Sequence, residues 1–230
     1  MRRVFTRKTL LCTFLFVALF TLALLLAGDF ASPLKVRLLE LSYIESKIHY
    51  ASAFLISHCL VLLSAFAALA LFQRGREDIA LLMRVKRSRL FLLKLMLGTG
   101  FMLFMALQLT LLVAFALALM DTEPLNFKDV LVSASGMALY YFALMSVVSI
   151  TTKSPKTLIV PISAVVIVDT FMPYDAPSET PLITIARMVF PMFGSDGFQG
   201  TVSVVSWATL ALTGLFYIVA FSIYLEKAHN

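Results

Sequence analysis

Apolar residues in this chain gather into long runs and do not alternate with polar ones. Six runs stand out: Leu10–Ala27, Ala51–Phe72, Leu95–Met120, Val130–Ile150, Thr157–Met172 and Val202–Leu225. Each is 16 to 26 residues long, near the ~20 residues an α-helix needs to cross a hydrocarbon layer. A helix satisfies its own backbone hydrogen bonds, so it can stand in lipid where an open strand edge cannot. The pattern predicts an all-α membrane protein in which residues 1–230 form a single transmembrane domain of six transmembrane helices. The fifth run is the shortest and contains Pro161. A proline there predicts a kink, because it removes one backbone donor.

Two connectors are more than plain loops. In "SPLKVRLLELSYIESKIHY", Leu34, Leu38, Leu41, Ile44 and Ile48 recur at helical spacing among charged residues. This predicts an amphipathic helix at the outer interface, or an early polar start to the second helix. Between the fifth and sixth runs, the apolar segment Leu182–Phe190 stands between proline and glycine clusters. It is too short to span and is expected to form an external re-entrant or interfacial segment.

Composition agrees with the pattern and charge orients it. The chain is 60% hydrophobic and 14% charged, against roughly half and a quarter in ordinary soluble domains. Its net charge of +6 therefore bears on topology before nucleic acid. With the N-terminus in the cytoplasm, fourteen of the nineteen Lys and Arg lie inside, as the positive-inside rule requires. Of the acids, only Glu77, Asp78 and Glu226 fall inside. Six helices return the C-terminus to the cytoplasm too. The first run follows a basic start, as a secretory signal does. Its 18 residues exceed the roughly 7–15 of a signal's apolar region, so it is read as an uncleaved helix. Cys12 and Cys59 would differ in depth by about 15 Å if the first two helices are antiparallel. A disulfide allows about 7 Å between Cα atoms, so free thiols are expected.

Polar side chains deep in a membrane are costly, and each invites a functional reading. His58, near the middle of the second run, reads as a substrate contact or proton relay. It reads equally as a neutral ring bonded to a carbonyl or to Gln108. Gln108 in the third run is a helix–helix contact or part of a substrate pathway. Asp169, at the outer end of the fifth run, is an interfacial carboxylate or the lining of an outer vestibule. Gly98, Gly100, Gly136 and the serines of the fourth run suit close helix packing. No His-Glu-x-x-His, Gly-x-Ser-x-Gly or Gly-x-x-x-x-Gly-Lys-Ser/Thr sequence is present, so zincin, hydrolase-elbow and phosphate-loop chemistry have no foundation here. His49, His58 and His229 fall at three different depths and cannot converge on a metal within one subunit. No catalytic residue, metal or cofactor is expected on this chain.

The connector "QRGREDIALLMRVKRSRLFLLK", Gln73 to Lys94, carries seven of the basic residues. Glu77 and Asp78 open it, and Arg84, Lys86, Arg87 and Arg89 close it, the order that suits a helix dipole. Ile79, Leu82 and Met83 form an apolar face about one turn long. Ser88 is placed to cap a second helix that runs into the third span. The connector reads as a short helix along the cytoplasmic surface, a basic bend, and a descent into the bilayer. Its apolar face is covered either by anionic lipid headgroups or by a groove on another protein.

The stretch "EDIALLMRVKRSRLFLLK" resembles the connector between the second and third helices of ABC-2-type transporter permeases. There an acid leads a Leu-rich short helix, then a small-polar and basic stretch, then an apolar run with a lysine. The six helices, the cytoplasmic termini, the re-entrant segment between helices five and six and the tail "FSIYLEKAHN" are similar too. In length the chain resembles short bacterial permeases of peptide-antibiotic, bacteriocin-immunity and sodium or drug exporters. Arg84 follows Met83 where many members carry Leu-Pro. The resemblance implies a coupling helix docked on a separate ABC ATPase subunit through Glu77, Ile79, Leu81, Leu82, Met83, Arg84, Lys86 and Arg87. It also implies ATP and Mg on that partner, a second permease chain, identical or related, and a place in the bacterial plasma membrane. The activity it implies is extrusion of a hydrophobic or peptide-like substrate; membrane lipids are expected partners and nucleic acid is not. The residues themselves also leave open an ATPase-independent membrane binding or immunity protein, and an intramembrane enzyme using His58.

Overall fold

The computed structural model describes residues 44–72, 86–119, 126–152, 155–164, 189, 191 and 207–226. Four long helices account for most of them: α1 (Ile44–Phe72), α2 (Arg87–Leu119), α3 (Phe127–Thr151) and α4 (Trp207–Glu226). Each is long and apolar enough to cross a membrane, and no strand occurs among the described residues. The regular structure of the described residues is entirely helical, and four helices long and apolar enough to span a bilayer mark a membrane protein; they correspond to the second, third, fourth and sixth predicted runs. The first run, most of the fifth, and Glu77 to Arg84 of the connector lie outside the described residues.

Helix ends show where local chemistry overrides the apolar pattern. α1 starts at Ile44, seven residues ahead of its apolar run, so the early polar start is realised over 44–50. α2 starts at Arg87, eight residues ahead of Leu95, and the Leu90 N–H donates to the Lys86 carbonyl at 3.1 Å. Ser88 therefore lies inside the first turn and is not the N-cap; the helix that runs into the third span is present, and it already includes Arg87, which was placed in the basic bend. Nothing between Arg87 and Leu95 breaks a helix: Arg, Leu, Lys and Phe all continue one at little cost. The basic side chains can reach water from a projecting end. At the end of α3, the Thr152 N–H donates to the Val148 carbonyl at 3.0 Å and Thr152 itself is extended, with φ −97° and ψ 144°. The chain then enters a 3-10 turn at Pro155–Leu158, and backbone 159–164 is helical. Pro161 sits in the first turn of that stretch, where a missing N–H matters least.

α3 is the hub, packed against α1, α2 and α4. Tyr140, Tyr141 and Phe142 are all fully enclosed. Successive helix residues are about 100° apart, so three in a row can be enclosed only if neighbours surround more than half the helix. α1 and α2 run antiparallel beside it. The Ser64 hydroxyl approaches Met102 Sδ at 3.9 Å, and Lys94 reaches the ring of Phe72. α1 and α3 run alongside each other, with the Ser149 hydroxyl donating to the Ala68 carbonyl at 3.3 Å. The outer row of α2, including Leu92, Met96, Phe104, Leu111 and Phe115, is exposed, as are Trp207 and Ile218 of α4. In water so long an apolar row would drive association; on a spanning helix it is the lipid face.

Other polar groups in the spans are absorbed locally. The hydroxyls of Thr110, Ser146 and Thr213 donate to carbonyls four residues back, at 2.8, 2.6 and 2.8 Å. Such back-bonding removes the penalty of a hydroxyl in hydrocarbon. Gly98 has a steric reason to be glycine. A Cβ there would run into the ring of Phe142, which is itself fully buried and tilted against Phe72. Gly100, one face round, has open space. Gly98→Ala is expected to destabilise the bundle by about 1–3 kcal/mol through overpacking, while Gly100→Ala is neutral or slightly stabilising. Thermal unfolding of both variants in detergent checks the pair; equal melting temperatures would contradict the close approach.

Candidate functional site

At the connector end of the bundle, the inner face of α2 carries Arg87, Phe91, Lys94 and Gly98 in the 3–4 residue rhythm of one helix stripe. Lys86 is exposed, Arg87 half-buried, and Phe91 and Lys94 buried. Lys94 is only 7% exposed. Its Nζ lies 5.6 Å from the ring centroid of Phe72 and 5.4 Å from that of Tyr224. Phe91 stands 5.7 Å from Phe72, 5.2 Å from Tyr224 and 5.3 Å from Phe221. One aromatic cluster thus joins the last turn of α1, the first turns of α2 and the last turns of α4. An ammonium in an apolar setting is unfavourable alone. The two π faces return about 2 kcal/mol when desolvated, and Lys94 makes further interactions besides.

A second polar layer lies at the middle of α3. The Tyr140 hydroxyl donates to the Val189 carbonyl, and the Tyr141 hydroxyl to the Pro191 carbonyl at 3.0 Å. The Tyr217 hydroxyl of α4 donates to the Leu139 carbonyl at 3.3 Å and also pairs with Thr99 of α2. Tyr140 and Tyr141 meet edge to face at 5.3 Å, and Phe216 lies 5.8 Å from Tyr140. Two carbonyls bordering the Leu182–Phe190 segment are therefore fastened beside the centre of a spanning helix.

The other sequence-predicted residues distribute as follows. His58 is buried in α1 at 8% exposure, with Nε2 shielded from solvent. Gln108 is half-buried on α2. The α1–α2 register fixed by Ser64 with Met102 and by Phe72 with Lys94, carried six residues on, sets Gln108 at the depth of His58. Cys59 is a buried free thiol. Asp169, Glu77, Ile79, Leu81, Leu82, Met83 and Arg84 lie outside the described residues. Among the described residues, no three His, Cys, Asp or Glu side chains gather where a metal could be held.

Tyr140, Tyr141 and Tyr217 have no role in the sequence reading, and Lys94 enters it only as a connector cation and as the lysine of the apolar run in the permease resemblance. The signal was its phase: it falls one turn past Phe91 and one turn before Gly98, on the stripe that faces the bundle. The tyrosines sat inside an ordinary apolar run, and only "YY" at the run's centre marked them. Comparison with family models, with characterised proteins and with solved structures finds no match to this chain.

Replacing Tyr141 by Phe strands the Pro191 carbonyl in an apolar interior and is expected to destabilise the protein by about 1–2 kcal/mol. Amide exchange in peptides that cover Val189 and Pro191 should quicken in the same variant. Wild-type exchange in those peptides would show that the tyrosine bond does not hold the segment.

Proposed function

We propose that this chain is the permease subunit of an ABC-2-type, ATP-driven exporter. The observation that carries the reading is the connector between α1 and α2. It presents an acid-led aliphatic patch, Glu77 to Met83, between two long apolar helices whose adjoining ends are packed together through Phe72, Phe91 and Lys94. A short apolar face outside the bilayer needs a cover, and a groove on an ATPase subunit supplies one. A loop whose two ends are fastened to each other can transmit a push; a loose loop would absorb it.

In this reading the chain has six transmembrane helices with cytoplasmic termini and lies in the bacterial plasma membrane. It works as a dimer, with itself or a related chain, and with two separate ATPase subunits that hold ATP and Mg. ATP binding closes the ATPases, the coupling helices follow, and the spans exchange one access state for another through differential stabilisation. Ile79, Leu81, Leu82 and Met83 form the docking face, flanked by Glu77, Arg84, Lys86 and Arg87. The fastening of Val189 and Pro191 beside mid-α3 supports a re-entrant segment on the outer side, since a segment too short to span needs partners within the protein to be held at that depth. His58, Gln108 and Asp169 are the polar positions assigned to the substrate pathway. The substrate is hydrophobic or peptide-like.

Purification of the tagged chain from membranes tests the proposal. An ATPase subunit should remain bound in mild detergent, with hydrolysis stimulated by the permease. Leu82→Asp should abolish that stimulation at unchanged membrane levels, and charge reversal at Arg84 and Arg87 should weaken it. Full stimulation in the Leu82→Asp protein would remove the docking face, and a lone monomer that holds a ligand would favour a binding or immunity protein.

A further inference from the structure

We propose that Lys94 is the positioning residue of the connector: its ammonium, set over the adjoining rings of Phe72 and Tyr224, clasps the base of the loop and reinforces its tie to α4. Displacement of the connector is thereby delivered to α4 together with α1 and α2. The proposal rests on the transport reading for what moves the connector, and on the geometry alone for the clasp.

The geometry is specific to this place. Phe72 is the last residue of α1 before the connector, and Arg87 the first of α2 after it. Phe72 and Phe91 stand 5.7 Å apart, so the loop is closed at its root by a ring contact. Tyr224 of α4 meets Phe72 edge to face at 6.3 Å, and Lys94 adds a charge to that junction, with its Nζ 5.4 Å from Tyr224 and 5.6 Å from Phe72. α4 packs mainly on α3 and meets α2 over a smaller patch. The described ring contacts of that patch are Phe91 with Phe221 and Tyr224. Lys94 thus stands where the connector's root and α4 touch.

The residue type also argues for a directed role. An uncharged side chain at this position would fill the space without the desolvation penalty of an ammonium. A buried cation set over two adjoining rings is held by direction-dependent attraction, so sliding α4 along α2 carries a definite restoring force. A greasy contact would slip with little change in energy.

Distance measurement on the full chain in nanodiscs tests the clasp without an ATPase. Spin labels are placed at Lys86→Cys and Glu226→Cys, both exposed positions, in a background with Cys12→Ala and Cys59→Ala. With Lys94 intact, one distance population is expected. Lys94→Gln should add a longer one, shifting the ratio of populations about tenfold. Lys94→Arg should restore the single population, and Tyr224→Leu should reproduce the loss independently. An unchanged distribution in both Lys94→Gln and Tyr224→Leu, or two populations already present with Lys94 intact, overturns the clasp. If Lys94→Gln fails to accumulate, Tyr224→Leu and Phe72→Leu decide by the same distances. In the ATPase complex, Lys94→Gln should keep the partner bound but lose stimulation by substrate, in contrast to the docking variant; retained stimulation overturns the transmission role. Absence of any ATPase partner from the unmodified protein sinks the transport reading, and the distances still judge the clasp.

Discussion

Hydrocarbon offers no partner to a polar atom, and that constraint organises this protein. Within the spans, hydroxyl after hydroxyl is turned back on its own helix or across to a neighbouring segment. Thr110, Ser146 and Thr213 take the first course; Ser149, Tyr141 and Tyr217 take the second. The first kind is silent, because it joins nothing to anything else. The second kind does the assembling, since association of helices in lipid draws on packing and interhelical bonds and gains nothing from excluding water. Lys94 extends the rule to a full charge, which finds aromatic faces where a hydroxyl finds a carbonyl.

The cross-links fall in two layers. One, at the connector end, joins α1, α2 and α4 through rings and an ammonium. The other, at the middle of α3, joins α3 and α4 to each other and to the carbonyls at 189 and 191. Between them the ring of Phe142 lies over Gly98. α4 carries Tyr224 in one layer and Tyr217 in the other, so it is the helix that the two layers share.

Much of the architecture could be read from residues alone, for a definite reason. Runs such as Ala51–Phe72 and Val130–Ile150 are so apolar, and so close to bilayer length, that the helices follow from thickness and backbone bonding. The ends were harder. Arg87 and Arg89 look like loop residues by hydropathy, yet their propensity continues a helix, and a projecting end lets their charges stay wet. The site was hardest of all. His58 and Gln108 drew attention because polarity is conspicuous in an apolar run, and register brings them to one depth. Lys94 and Tyr141 escaped because their importance lies in what faces them across a helix boundary, and one sequence does not show which stripes meet. Gly98 was legible as a packing glycine, but Phe142 as its partner was not.

α2 has 33 residues, about 50 Å of helix, in a layer whose apolar core is about 30 Å thick. A helix that exceeds the layer by this much must lean, or carry its surplus beyond the headgroups. Membrane thickness then enters as a mechanical variable: a thinner bilayer tips α2 further and loads the junction at its base, and a thicker one relieves it. The lipids around this protein become part of its spring.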